Sequence, residues 1–176
     1  ASNTATETVV VNVTDVDEIL PVITPSQTFT YTENQAVNFN IGDVVASDNS
    51  GTYTLTITGG NTSGYFAIDS STGSLTLTVA GASSGANDYE TGSNTYSLTI
   101  QAIDAASNTA TETVVVNVTD VDDTLPVITQ SQTFNYTENQ SANYTIGTVS
   151  ATDNSGTYTL TITGGNTSGY FAIDSS

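Results

Sequence analysis

The sequence predicts an all-β chain of tandem Greek-key β-sandwich modules, with about seven short strands to a module. Three observations predict it. Thr fills 35 of the 176 positions, alongside many Val, Ile and Tyr, and such residues suit a pleated, half-buried surface. Apolar and polar residues alternate in short runs separated by Gly and Asn turns. The chain also repeats itself: shifted by 105 positions, residues 1–71 fall on residues 106–176 with 60 of the 71 identical, and such self-similarity marks a repeated structural unit.

Taken along the chain, Val9, Val11 and Val13 alternate with Thr8, Val10 and Asn12, which predicts a strand, and Thr4–Asp17 returns unchanged as Thr109–Asp122. Pro21 and Pro126 fix φ and hold the residue before them extended, which suits a taut connection between modules. Tyr53, Leu55 and Ile57 alternate with Thr54, Thr56 and Thr58. Leu75, Leu77 and Val79 alternate with Thr76 and Thr78, and Tyr96, Leu98 and Ile100 with Ser97 and Thr99. A period of two turns one set to a core and the other to water. Asp48-Asn49-Ser50-Gly51, Gly59-Gly60-Asn61, Ser71-Thr72-Gly73 and Gly81-Ala82-Ser83-Ser84-Gly85 read as the turns between these runs. No segment sustains a helical period with capping signals. Differences between the copies gather at 36–47 against 141–152 and keep an aromatic in register, Phe39 against Tyr144.

The repeat sets the domain organisation. Residues 1–19 are expected to be the C-terminal end of a preceding repeat, 20–124 a complete one, and 125–176 the N-terminal half of a following one, as in an excerpt from a longer array. Completing a module from the flanks of two chains is disfavoured, because the counterparts of residues 72–105, with at least two strands, are missing from both flanks.

Charge excludes whole classes of function. Eighteen acids face no Lys, Arg or His, for a formal net charge of −18. Nucleic acid and anionic membrane surfaces require cations, so neither is an expected partner. Without His or Cys there is no general-base imidazole, no thiol nucleophile and no ligand for a soft metal. Oxygen ligation of a hard cation is the chemistry this alphabet favours. No apolar run approaches the ~18 residues that span a bilayer, and no leader-like segment opens the sequence.

The acids are not scattered as a purely solubilising surface would have them. Asp15, Asp17 and Glu18 fall within four residues before one Leu-Pro pair, and Asp120, Asp122 and Asp123 within four before the other. Crowding carboxylates into a Pro-restrained joint is repulsive unless a multivalent cation bridges them.

A family resemblance rests on stretches that occur in order through the repeat. They are Tyr31-Thr32-Glu33-Asn34-Gln35, Ala46-Ser47-Asp48-Asn49-Ser50-Gly51, Phe66-Ala67-Ile68-Asp69, Thr72-Gly73-Ser74-Leu75, Asp88-Tyr89-Glu90-Thr91, Tyr96 through Asp104, and Val116-Asn117-Val118-Thr119-Asp120-Val121-Asp122-Asp123. Together they resemble a cadherin-type domain, and the tandem pattern is similar to the cadherin-like arrays of large bacterial cell-surface adhesins. The resemblance implies an immunoglobulin-like, cadherin-type sandwich in which Ca2+ sits between successive domains, held by acids from both sides of the joint. It assigns Glu33, Asp88 and Glu90 to the base of the complete domain, Asp120, Asp122, Asp123 and the carbonyl of Val121 to the linker, and Asp153 to the next domain. The upstream joint would use Asp15, Asp17 and Glu18 with Asp48 and Asp104, and Glu138 copies Glu33 for a further joint. Glu7, Asp43, Asp69, Glu112 and Asp174 remain as surface charge.

The sequence departs from the family pattern in places. Ser50 and Ser155 stand where a second acid is usual, Asp17 and Asp122 where Asn is common, Ile19 and Thr124 where another Asn is common, and Asn87 where an apolar residue is usual. At least two calcium ions per joint are implied, with affinities of roughly 10⁻⁴–10⁻³ M, as in extracellular modules.

Gly81-Ala82-Ser83-Ser84-Gly85 matches a hydrolase elbow but lacks the following helix and any His. Paired carboxylates at joints offer no sugar cleft, so an enzyme is not expected. The sequons at Asn12, Asn61, Asn117, Asn135, Asn143 and Asn166 follow from Thr-rich composition. The expected function is a non-enzymatic, extracellular extender, stiffened by calcium between neighbouring repeats. Homophilic contact or packing into a fibre is the alternative, and an accessory carbohydrate-binding module is disfavoured because Thr, not Trp or Tyr, fills the alternating exposed positions. Strand-exchange adhesion through a docked Trp is disfavoured by the absence of Trp.

Overall fold

Alternating runs become strands where they find neighbours to pair with. The computed structural model describes residues 1–175, in two compact units, Ala1–Val121 and Asp122–Ser176. The first unit holds β1 (Val22–Ile23), β2 (Thr28–Thr32), β3 (Asn40–Asp43), β4 (Ala46–Ser47), β5 (Tyr53–Gly59), β6 (Phe66–Ile68) and β7 (Ser74–Leu77). A one-turn helix α1 (Val79–Ala82) and a 3-10 turn (Gly85–Asn87) follow, then β8 (Thr95–Asp104) and β9 (Thr109–Thr119). The strands form a four-stranded sheet in the order β2-β9-β8-β5, a three-stranded sheet in the order β3-β7-β6, and a short β1-β4 ribbon.

The two sheets face each other across one apolar core, so the all-β sandwich holds. Tyr31, Leu55, Leu98, Ile100, Val114, Val116 and Val118 come from the larger sheet, and Ile41, Phe66, Leu75 and Leu77 from the smaller. Leu75, Leu77, Leu98 and Ile100 are fully shielded from solvent, each contributing about 1.5–3 kcal/mol by burial. Tyr96 closes one side, edge-on to Phe66 at 5.1 Å and to Tyr65 at 6.2 Å between ring centroids.

β2 and β9 lie side by side and parallel, Thr28 opposite Val115 and Thr32 opposite Thr119. That pairing defines two ends. At one, β8 runs out at Asp104 beside Tyr53; at the other, β2 and β9 finish together at Thr32 and Thr119. β9 spans the distance between them, and its 11 residues measure roughly 35 Å.

Two expectations need correction. The Leu75-Leu77-Val79 alternation ends at Leu77, because the Thr78 hydroxyl accepts from the Gly81 N–H at 3.0 Å and starts α1, leaving Val79 exposed. The strand expected at Val9–Val13 is not formed, and Val9, Val11 and Val13 are 79–92% exposed. Their identical copies Val114, Val116 and Val118 are 0–4% exposed in β9, where β2 and β8 flank them; residues 1–19 have no such flanking strands. The second unit carries only the ribbon of β10 (Val127–Ile128) and β11 (Ala151–Thr152). Residues 158–164, a copy of β5, form no strand, although the Leu160 N–H reaches the Ser175 carbonyl at 3.4 Å; in the first unit β5 is paired with β8.

Among the described residues, no helix is long and apolar enough to cross a membrane.

Candidate metal centre

Two groups of three acids gather in the first unit, one at each end of the sandwich. At the β8 end, Asp17, Asp48 and Asp104 each offer a carboxylate oxygen within 4.8 Å of the others. Asp104 is the last residue of β8 and is buried. Its Oδ1 accepts the Asn108 backbone N–H at 2.8 Å and its Oδ2 the Asn108 side-chain amide at 2.8 Å. Asp48 follows β4 in the Asp-Asn-Ser-Gly turn, where the Gly51 N–H donates to its carbonyl at 3.1 Å. Asp17 arrives from the segment before Pro21; its Oδ1 accepts from the Ile19 N–H and from Asn49 Nδ2, both at 3.1 Å.

One atom of this group stands out. Asp48 Oδ2 accepts both the backbone N–H (2.8 Å) and the hydroxyl of Ser50, whereas Asp48 Oδ1 is shielded from solvent and has no hydrogen-bond partner. A shielded carboxylate oxygen without a donor is unfavourable. Ser50, standing where a second acid is usual, thus fixes Asp48 through Oδ2 and leaves Oδ1 turned to other use.

At the opposite end, Glu33, Glu90 and Asp120 form the second group, each offering a carboxylate oxygen within 4.8 Å of the others. Glu33 follows β2 and is 1% exposed. Its backbone N–H continues the parallel ladder to the Thr119 carbonyl at 3.1 Å. Its Oε2 accepts the Tyr89 N–H at 2.6 Å and its Oε1 the Val121 N–H at 2.7 Å. These charge-assisted bonds hold a buried carboxylate where no basic side chain exists to pair with it.

Asn87 positions this end. Where the resemblance implies an apolar residue, the buried amide accepts from the Gln35 N–H (2.8 Å) and donates to the carbonyls of Gln35 (2.9 Å) and Ala82 (3.0 Å), tying the loop after Glu33 to the helical turns. The sequence marks Asn87 only as a departure from the family pattern and does not single out Asn108 at all. Both sit among turn residues, and an Asn there signals only a turn.

The remaining predicted ligands lie outside both groups. Asp15 and Glu18 are exposed. Asp88 Oδ1 accepts the Thr91 N–H at 3.0 Å and closes a turn beside Glu90. Val121 enters through its N–H to Glu33. Asp122, Asp123, Glu138 and Asp153 belong to the second unit, where Asp153 holds the Ser155 N–H at 3.0 Å much as Asp48 holds that of Ser50. Among the described residues, no third gathering of three acids occurs. Asp69, expected to be surface charge, organises the turn before β7: its Oδ1 accepts from the Ser71 hydroxyl and from the N–H groups of Ser71 and Thr72 at 2.7–2.9 Å. Those donors, led by the Ser71 hydroxyl, hold its carboxyl well below the usual range.

Each group offers carboxylate oxygen alone, in a molecule without Lys, Arg or His. Three like charges within 4.8 Å repel by about 3 kcal/mol per pair at an effective dielectric near 20, less where water screens them. The donor set and the orphan Asp48 oxygen fit a hard divalent cation.

The chain is similar to known proteins across most of the first unit. The Cadherin domain model matches residues 27–119. Protocadherin Fat 2 of Mus musculus is 37% identical over 125 residues, covering 67% of this chain and 3% of that protein, so the chain spans only a small fraction of its curated relative. Among solved structures, protocadherin Gamma B2 extracellular cadherin domains 3-6 align with a TM-score of 0.64 at 22% identity, covering 80% of this chain and 37% of that one. The cis-dimer structure of protocadherin gammaB7 EC3-6 aligns with a TM-score of 0.63 at 21% identity, covering 81% and 37%. With the family model spanning more than half its length and both β-sheets inside the matched region, the chain belongs to the cadherin-domain family.

Proposed function

We propose that the chain is a non-enzymatic extracellular extender, in which calcium at the ends of each sandwich stiffens the joint to the next repeat. The arrangement at Asp17, Asp48 and Asp104 carries this reading: a carboxylate from the segment before the sandwich meets two from its end, and Asp48 Oδ1 lacks a donor. Calcium, when bound, supplies the positive charge that this molecule has no residue to provide. Asp17, Asp48 and Asp104 would hold it at the upstream joint, with Asp15 and Glu18 nearby in sequence. Glu33, Glu90 and Asp120 would do so downstream, joined by Asp88, the Val121 carbonyl, Asp122, Asp123 and Asp153, with Glu138 serving a further joint.

Without a cation the acids repel and the connection flexes; with one, the residues before and after the joint share ligands and the angle is fixed. The repeat boundaries at 19/20 and 124/125 follow from the same scheme. Near-identity of the two copies favours a stalk, because repetition supplies length rather than new recognition. A surface-anchored adhesin of the bacterial type is the setting proposed from the tandem sequence pattern alone; the curated relatives are animal proteins. Calcium titration followed by small-angle scattering is expected to show the particle lengthening and stiffening. A scattering profile indifferent to chelator would refute the proposal.

Self-association is the second reading, favoured by the structural neighbour solved as a cis-dimer. It predicts dimers or longer assemblies at micromolar concentration in analytical ultracentrifugation, where the extender alone stays monomeric.

A further inference from the structure

Asn108 lies in the tight connection between β8 and β9, and no acid scheme includes it. Three hydrogen bonds tie it to Asp104, and a fourth, from Ser107, closes the turn between them. The Asn108 N–H donates to Oδ1 (2.8 Å) and Nδ2 donates to Oδ2 (2.8 Å); the Asn108 carbonyl accepts from the Asp104 N–H (3.1 Å), and the Asp104 carbonyl accepts from the Ser107 N–H (3.3 Å) in the same turn, where Ser107 takes a left-handed φ of 73°. The first three are direct; the last closes the turn that makes them possible.

The same side-chain nitrogen reaches the segment before the sandwich, donating to the Asp17 carbonyl at 2.9 Å and lying 3.4 Å from that of Ile19. One neutral amide therefore sets the rotamer of one acid and the backbone position of another. A basic side chain there would neutralise the group; an apolar one would leave both the Asp104 carboxylate and the Asp17 carbonyl short of a donor. Asn supplies the donors while leaving all three negative charges uncompensated.

We propose that Asn108 is a positioning residue for calcium at Asp17, Asp48 and Asp104, holding Asp17 against the end of the sandwich before the cation arrives. The inference rests on the calcium reading above. Partners of this kind, one shell out from the ligands, commonly change metal affinity about 10–100-fold when removed. The opposite group, roughly 35 Å away along β9 by strand rise and several Debye lengths distant at physiological salt, serves as an internal control.

The test uses the 176-residue chain with calcium as the only added ligand, read by isothermal titration. Asn108→Ala and Asn108→Ser are compared with the parent and with Asp104→Asn. Asn108→Ser suits the turn and keeps its backbone bonds while withdrawing the amide that reaches Asp17 and Asp104 Oδ2, so it serves where Asn108→Ala fails to fold. Expected for both is a fall of about 10–100-fold in one binding step, with the step assigned to Glu33, Glu90 and Asp120 unchanged. A second readout needs no metal: in chelator, amide exchange at Asp17–Ile19 should quicken in both variants. Binding steps and exchange equal to the parent in both Asn108 variants would overturn the positioning role alone, provided Asp104→Asn loses a step. Should Asp104→Asn also bind as the parent does, the calcium reading of this group falls, and the inference with it.

Discussion

Replacing Glu33 by Gln separates a structural acid from a metal-holding one. The two carboxylate oxygens of this 1%-exposed side chain accept the N–H groups of Val121 and Tyr89 at 2.7 and 2.6 Å. Gln fills the same volume but has one acceptor, so its NH2 must face one of those donors. A hydrogen bond to a charged group, worth about 1.5–3 kcal/mol, is lost, offset in part because an unpaired buried charge disappears with it. A net cost of about 1–2 kcal/mol in chelator corresponds to a Tm lower by roughly 5–15 °C for a unit near 100 residues.

Calcium should then widen the gap. A site with Kd of roughly 10⁻⁴–10⁻³ M gains about 1.4–2.7 kcal/mol at ~10 mM calcium, and Glu33→Gln forfeits that share at its own end. The assay is thermal unfolding by circular dichroism, in chelator and in calcium, for parent and variant. A gap of the same size in both conditions would show that Glu33 only supports the backbone of Tyr89 and Val121, and the metal argument for that end would be refuted.

Two further outcomes follow from the core and the turns. Burial pushes the Tyr31 hydroxyl up from its ordinary 10.0, and the hydroxyl donates to the buried Ala86 carbonyl. The folded state therefore holds this proton more tightly than the unfolded one, so the contribution is fully present below pH 10 and declines as pH rises beyond it. Urea unfolding across alkaline pH should show that decline in the parent; Tyr31→Phe should lose about 1–3 kcal/mol at neutral pH and show less alkaline dependence, and an equal slope in both would count against the assignment. Gly73 sits at φ +77° with its would-be Cβ 2.3 Å from the Val44 carbonyl oxygen, so Gly73→Ala should destabilise by more than ~1 kcal/mol. A melt equal to the parent's would show that the turn yields at no cost.

Period-two alternation was legible wherever side-chain polarity and pairing coincide. Leu55, Leu98 and Ile100 are buried as their spacing predicts, and Thr54, Thr56 and Thr58 face out. Alternation fails at Val79 because a run of two periods cannot announce its own end; the competing signal was Thr78 as a cap before small residues. The parallel placement of β2 beside β9 was not legible at all, since no local pattern says which distant strand is a neighbour. For the acids, local crowding marked Asp15–Glu18 and Asp120–Asp123. The structure instead draws one residue from each crowd and adds partners from loops far away in sequence. Asp48 and Asp104 are 56 positions apart and meet only because β5 pairs with β8, setting Tyr53 opposite Asp104. Asn87 and Asn108 could not be told from turn residues, because their importance lies in which acceptors the fold presents to them.

The two copies of Thr4–Asp17 show what the sandwich depends on. Identical residues form an 11-residue strand at 109–119 and no strand at 4–14, so intrinsic propensity does not decide the matter. Val114, Val116 and Val118 are shielded by β2, β8 and the opposing sheet; Val9, Val11 and Val13 have none of these. The same dependence governs the acids. Asp122 copies Asp17, yet Asp17 gathers with two partners because the end of β8, the turn after β4 and Asn108 surround it. Asp122 belongs to neither group of three acids among the described residues. The gathering of Asp17, Asp48 and Asp104 is thus a property of a completed sandwich end together with the segment that precedes it.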